Sequence, residues 1–175
     1  MARRLLSIFL ALALLAPGST LAQGFLYEMR GGVLAHDIPI VAAGRYEYGI
    51  GLNAELVFSP SLPLLGGDIR PALGGTFATN NGTSLIYADA KWEWSGPLFF
   101  FGRGLGPAIQ TGELQYVNGR KGLGSRVLFH VPVEIGVQIS PSARISAYYE
   151  HVSNAFLAYP NPGMDNIGIR FAHRF

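Results

Sequence analysis

The chain of 175 residues contains no cysteine, which excludes disulfides, thiolate chemistry and cysteine-based metal sites. Charge is scarce as well: Asp, Glu, Lys and Arg make up 14% of the residues and the formal net charge is +2. That near-neutral balance argues against nucleic acid as a partner. Beyond the first residues, no segment approaches the ~18 consecutive apolar residues of a membrane helix. Glycine, by contrast, is abundant (23 residues), and hydrophobic types reach 49%.

The N-terminus reads as a removable leader. Arg3 and Arg4 form a positive start, Leu5 to Ala16 an apolar run interrupted by Ser7, and Thr20-Leu21-Ala22 a small-residue cleavage site. These are the parts of a secretory signal peptide, expected over residues 1–22 with the mature chain starting at Gln23. Residues 23–175, about 150 in number, then suit one domain. An exported, moderately hydrophobic chain without a spanning helix points to the other membrane solution, a closed β-barrel.

Alternation of period two supports this. Ile167, Ile169, Phe171, His173 and Phe175 alternate with Gly168, Arg170, Ala172 and Arg174. The same rhythm runs through 127–139, 86–94 and 46–58, and more weakly through 25–35, 68–78, 98–110 and 143–153, giving eight segments. Two inverse barrels fit the pattern: a soluble one with its apolar face inward, or an outer-membrane one with that face on lipid. The other face carries both signs mixed, including Glu28, Arg30, Glu55, Lys91, Glu134 and Arg170, a set that a small barrel can neutralise by internal pairing. Terminal Phe175, with alternate apolar residues before it, resembles the C-terminal signature of outer-membrane barrels, His173 being a mild departure. The fold class expected is all-β: an eight-stranded antiparallel up-and-down transmembrane β-barrel, preceded by a cleaved signal peptide. Turns at 59–67, 95–97 and 140–142 would face the periplasm with both termini, and connections at 36–45, 79–83, 111–124 and 154–164 would face outside, 59–67 being long for a turn and 79–83 short for a loop.

Near the chain end, EHVSNAFLAYPNPGMD brings His151, Ser153 and Asp165 close in sequence. These residue types are the parts of a hydrolytic triad. In the seventh segment His151 and Ser153 share parity with Ile145, Ala147 and Tyr149, and in the eighth Asp165 shares parity with Ile167 to Phe175. All three therefore project outward from adjacent antiparallel strands. At ~3.3 Å per residue and a tilt of about 40°, Asp165 lies roughly 25 Å, and His151 roughly 20 Å, above the periplasmic end. Ionisable groups facing lipid are costly and usually mark a function. The bland readings are polar strand ends for His151 and Ser153, and a cap on the Pro160–Gly163 turn for Asp165.

The stretch His151-Val152-Ser153-Asn154-Ala155, then Pro160-Asn161 and an acid at Asp165, resembles the lipid A 3-O-deacylase (PagL-like) family of outer-membrane enzymes. The resemblance implies a serine esterase that removes the 3-O-linked acyl chain from lipid A in the outer leaflet. Ser153 would be nucleophile, His151 general base and acid, and Asp165 the residue that orients His151. Asn154 and Asn161 carry over as supporting residues, with Asn161 and a backbone N–H after Ser153, such as that of Phe156, as oxyanion donors. No metal or organic cofactor is implied. The partners are lipopolysaccharide and outer-membrane lipid, a homodimer is left open, and Arg120, Lys121 and Arg126 are the candidate cations for substrate phosphates. Two positions depart from the family pattern: the acid is often Glu there, and a glycine expected three residues after the serine is Phe156 here.

Other constellations carry less. His36-Asp37 could be a dyad but reads as solvated turn residues. His130, Glu134, Arg144 and Glu150 read as an interior packing network, and Gly102-x-Gly104-x-Gly106 as close strand packing. The competing functional reading is a non-catalytic outer-membrane barrel with an adhesive or structural role.

Overall fold

The computed structural model describes residues 22–175 apart from positions 45 and 118. The expected leader, except for Ala22, lies outside the described residues. A short helix α1 (Ala22–Phe25) leads into nine strands: β1 (Leu26–Ala35), β2 (Ile50–Phe58), β3 (Leu62–Leu64), β4 (Gly67–Ala78), β5 (Leu85–Ser95), β6 (Phe99–Gln110), β7 (Val127–Gln138), β8 (Ala143–Ser153) and β9 (Met164–Arg174). Each neighbouring pair is antiparallel, and β1 pairs with β9 while β2 pairs with β4. That last pairing closes the sheet, so eight long strands form a barrel without a free edge.

The ninth strand, β3, explains why the 59–67 connection is long for a turn. Leu62–Leu64 folds back on Gly67–Ile69 as a small hairpin. Its two central residues, Leu65 and Gly66, have positive φ, as hairpin turns of this hand require.

Period-two alternation translates directly into burial. Along β7 from Val127 to Gly136 the even positions are buried and the odd ones exposed, and β8 buries its even positions Arg144, Ser146, Tyr148, Glu150 and Val152. The apolar set faces out and the charges face in: Val127, Phe129, Ile135 and Ile169 are exposed, whereas Glu28, Arg30, Glu55, Lys91, Glu134, Arg144 and Arg170 are buried. This is the arrangement of a membrane barrel, and it overturns the soluble alternative, which needs an apolar interior.

Buried charges are tolerable only when paired. Arg30 reaches Glu28, Glu134 and Glu93 at 2.5–2.6 Å, Lys91 reaches Glu55 at 2.7 Å, and Arg144 reaches Glu28 and Glu93 at 2.7 and 2.8 Å. Arg170 joins Glu134 to Glu55 and stacks 3.7 Å from the Tyr148 ring. The interior is thus a packed, neutralised plug. The network expected from His130, Glu134, Arg144 and Glu150 divides into two groups. His130 sits between Asp89 and Glu150, at 2.9 and 3.2 Å, while Glu134 and Arg144 belong to the arginine cluster.

Outward ionisable residues are correspondingly few. On the described strands they are Arg103, beside the Trp92 ring, His173 near the end that holds both termini, and His151 and Asp165 at the opposite end. Gly106 confirms the close-packing reading of its segment, because a Cβ there would meet Ala88 O at 1.9 Å.

Candidate active site

β8 rises towards the loop end and β9 returns from it, so the last residues of one strand oppose the first of the other. The register makes His151 and Asp165 direct partners. Their side chains share the outward parity, and Nδ1 of His151 lies 2.6 Å from Oδ1 of Asp165. An aspartate suffices here because the partners sit on one rung, where Cβ atoms are only about 5 Å apart.

Asp165 does not face lipid, as parity alone suggests. It is fully buried beneath the connection between β1 and β2, whose backbone arches over it. The N–H groups of Ile40, Val41 and Ala42 all donate to Oδ2, at 3.0, 2.6 and 2.8 Å. Tyr149 OH donates to Oδ1 at 2.9 Å, and Ile38 N–H donates to the backbone carbonyl of Asp165 at 2.8 Å. Successive amides converging on one oxygen form an anion-binding concavity. The carboxylate therefore has donors for both oxygens and a fixed orientation towards the imidazole.

His151 retains 18% exposure. With Nδ1 directed at Asp165, Nε2 is the edge left to react. Gly163, at φ +66°, packs against that edge: a Cβ there would lie 2.7 Å from Cε1 and 3.4 Å from Nε2. Ser153 stands two residues further along β8 on the same face, half-buried and opposite Phe129 of β7. No hydrogen bond joins its hydroxyl to His151 among the described residues. A contact of this kind often tightens only around a substrate.

Beyond Ser153 the chain makes a tight reversal. Leu157 N–H donates to Asn154 O at 3.0 Å, and both central residues, Ala155 and Phe156, have positive φ (51° and 63°). That is a type I′ turn, whose second central position favours glycine. Phe156 occupies it with its ring 87% exposed. Asn154 is committed to the loop: its Nδ2 donates to Leu123 O and Pro160 O, both at 2.9 Å. Its N–H donates to Oδ1 of Asn161 at 2.9 Å, which leaves Nδ2 as the donor of the Asn161 amide.

Beside this turn an apolar groove of about 510 Å³ opens on the outer face, lined by Leu105, Pro107, Val127, Phe129, Leu157 and Ala158 among others. Phe129 connects it to Ser153 through their shared rung.

Three sequence expectations need correction. His36 and Asp37 are neither solvated nor paired to each other. Both are fully buried; His36 meets Glu47 at 3.0 Å and Asp37 meets Lys121 at 2.5 Å. The second strand starts at Ile50 rather than Tyr46, because Asp37 Oδ2 accepts from the N–H groups of Tyr46 and Glu47 and bends that segment into the loop. Lys121 is fully buried and cannot meet a substrate phosphate; Arg120 and Arg126 retain exposure. The sequence reading also passed over Tyr149 and Gly163. Tyr149 had a usable signal, since it shares the parity of His151.

A family model for lipid A 3-O-deacylase (PagL) matches residues 49–174. The chain belongs to the PagL family. Lipid A deacylase PagL of Bordetella bronchiseptica is 28% identical over 116 residues. That match covers 62% of this chain and 63% of the relative, so it spans less than two thirds of the relative's length. Among solved structures, the outer membrane enzyme PagL superposes with a TM-score of 0.63 at 19% identity, covering 85% of this chain and 99% of that one. Neisserial surface protein A follows with 0.54 at 9% identity, covering 86% and 97%. The Yersinia pestis outer membrane protein Ail gives 0.52 at 10% identity, covering 86% and 99%. At these identities the three structures speak for the barrel fold alone.

Proposed function

We propose that this PagL-family barrel hydrolyses the ester holding the 3-O-linked acyl chain of lipid A, working from the outer leaflet with Ser153, His151 and Asp165. The observation that carries the reading is the His151–Asp165 rung, with its carboxylate enclosed by five donors. A turn cap needs no such enclosure, and a structural barrel gives no reason for a buried carboxylate to meet a partly exposed imidazole on the lipid side.

In the reaction, Ser153 Oγ attacks the ester carbonyl while His151 Nε2 takes its proton. His151 then returns that proton to the departing sugar hydroxyl. Water, deprotonated by the same nitrogen, cleaves the acyl-serine to the free fatty acid. Asp165 holds the imidazole with Nδ1 protonated and stabilises the imidazolium that forms twice in the cycle. The oxyanion donors in this reading are Asn161 Nδ2 and the N–H groups of Ala155 and Phe156, which have no acceptor among the described residues. Asn154 supports them by bracing the turn.

The lateral groove suits an acyl chain arriving sideways from the membrane, since it is apolar and adjoins Ser153. With the loop end outside, the site comes to the depth of the lipid A glucosamines, and of the three candidate cations Arg120 and Arg126 keep exposure for its phosphates. The purified full chain, incubated with lipid A in detergent, should release one free 3-hydroxy fatty acid per lipid. Lipid A already lacking the 3-O chain should release none. Release from neither, or equally from both, would contradict the proposed bond.

A further inference from the structure

We propose that Lys121 is a positioning residue for Asp165, acting as the pin that closes the 37–44 arch over the carboxylate. The inference rests on the triad reading. Lys121 comes from the connection between β6 and β7, remote in sequence from the arch, and its ammonium is fully buried. Burying such a charge is costly unless it is paired and hydrogen-bonded. Here Nζ donates to Asp37 Oδ1 at 2.5 Å and to Gly44 O at 2.8 Å. Those two acceptors are the two ends of the arch, and between them lie the Ile40, Val41 and Ala42 amides that hold Asp165.

Exposed side chains do little to hold the arch against the barrel. Ile40 and Val41 are 53% and 71% exposed, so their side chains do not anchor it in a core. Among the described residues the other hydrogen bonds run from Asp37 N–H to Asn166 Oδ1, from Ile38 N–H to Asp165 O and from Ala43 N–H to Pro162 O, with Ile40 N–H on Ile38 O within the arch and the Tyr46 and Glu47 N–H groups on Asp37 Oδ2 at its far end. The bonds to Asn166, Asp165 and Pro162 depend on the arch already lying over the start of β9, and the internal ones shape it without placing it there. A lysine that ties both ends together supplies that placement. It also joins the β1–β2 connection to the β6–β7 connection, whose own fold is fixed by Leu123 and Gly124 N–H groups on Glu113 O and Leu114 O. The outer loops thereby set the geometry of a group Lys121 never touches.

The test is a double-mutant cycle on the full chain in detergent, with lipid A as substrate and barrel integrity read by heat-modifiable electrophoretic mobility. Lys121→Met keeps the stem and removes the charge. It should lower kcat about ten- to a hundredfold, the scale of a small misplacement in an active site, with KM changed less than about threefold. In the Asp165→Ala background it should lower kcat no further, because a residue acting only through Asp165 has nothing left to position. A purely structural role would multiply the two losses. Asp37→Asn, which removes the same ion pair from the other side, should repeat both results and serves if Lys121→Met does not assemble a barrel. Full kcat in Lys121→Met or Asp37→Asn, or multiplicative losses in the double variants, would overturn the inference. If Asp165→Ala itself kept full kcat, the triad reading would fail first and the positioning role with it.

Discussion

His151 and Asp165 occupy one rung of the β8–β9 ladder and meet at 2.6 Å on the outside of the barrel. Because strand register brings the two side chains together, changing either chemistry without changing the strand should isolate the contact. Asp165→Asn keeps the shape and the acceptor oxygen but removes the charge that stabilises the imidazolium. In serine hydrolases a change of this kind costs about 10⁴ in kcat, and a loss of that order is expected here. Steady-state deacylation of purified variants measures it.

Tyr149 supplies the remaining donor to Oδ1. Tyr149→Phe deletes one hydrogen bond to a charged acceptor, an effect of about 1.5–3 kcal/mol when fully expressed. A kcat reduced about ten- to a hundredfold is expected, with no change in barrel assembly. Unaltered kcat would mean that the arch amides and His151 hold Asp165 unaided.

The barrel was legible because lipid outside and packed charge inside impose alternation on every strand; β7 and β9 could be read residue by residue. The parity of His151, Ser153 and Asp165 was legible for the same reason. What could not be read is what covers Asp165. The arch over it acts through backbone amides of Ile40, Val41 and Ala42, and amides leave no trace in residue identity. His36 and Asp37 misled for a related cause: a turn-like dipeptide looks solvated until distant partners, Glu47 and Lys121, arrive from elsewhere in the chain. The start of β2 was misplaced because Tyr46 and Glu47 continue the alternation on paper, while Asp37 captures their N–H groups.

The loop clasp around Glu47 has a defined acid sensitivity. Burial pushes its carboxyl up, but hydrogen bonds from His36 and from the Thr83 N–H and hydroxyl outweigh that and hold it at about 2. A carboxylate depressed in the folded state contributes stability that is complete above its ordinary range near 4.5 and lost as pH falls towards 2. Pepsin should therefore spare the 36–49 connection at about pH 4 and cut it at about pH 2. Glu47→Gln should be cut at both. Equal cutting of the wild type at the two values would contradict the assignment.

Phe156 lies where a type I′ turn favours glycine, and its exposed ring packs on nothing that holds the turn. Phe156→Gly should keep kcat within about threefold, since the backbone N–H stays in place. Phe156→Pro removes that N–H and demands a φ near −65° in place of +63°. Its kcat should fall at least about a hundredfold, the scale of losing one oxyanion donor. Comparable kcat in both variants would take the turn out of the oxyanion site.

The central claim is tested most directly by mass spectrometry of lipid A from cells producing the wild type, Ser153→Ala or His151→Ala, each in equal amount as a heat-modifiable outer-membrane barrel. The account predicts loss of one 3-hydroxyacyl mass in the wild type and intact lipid A in both variants. Shortened lipid A in the Ser153→Ala cells, or intact lipid A in all three, would contradict it.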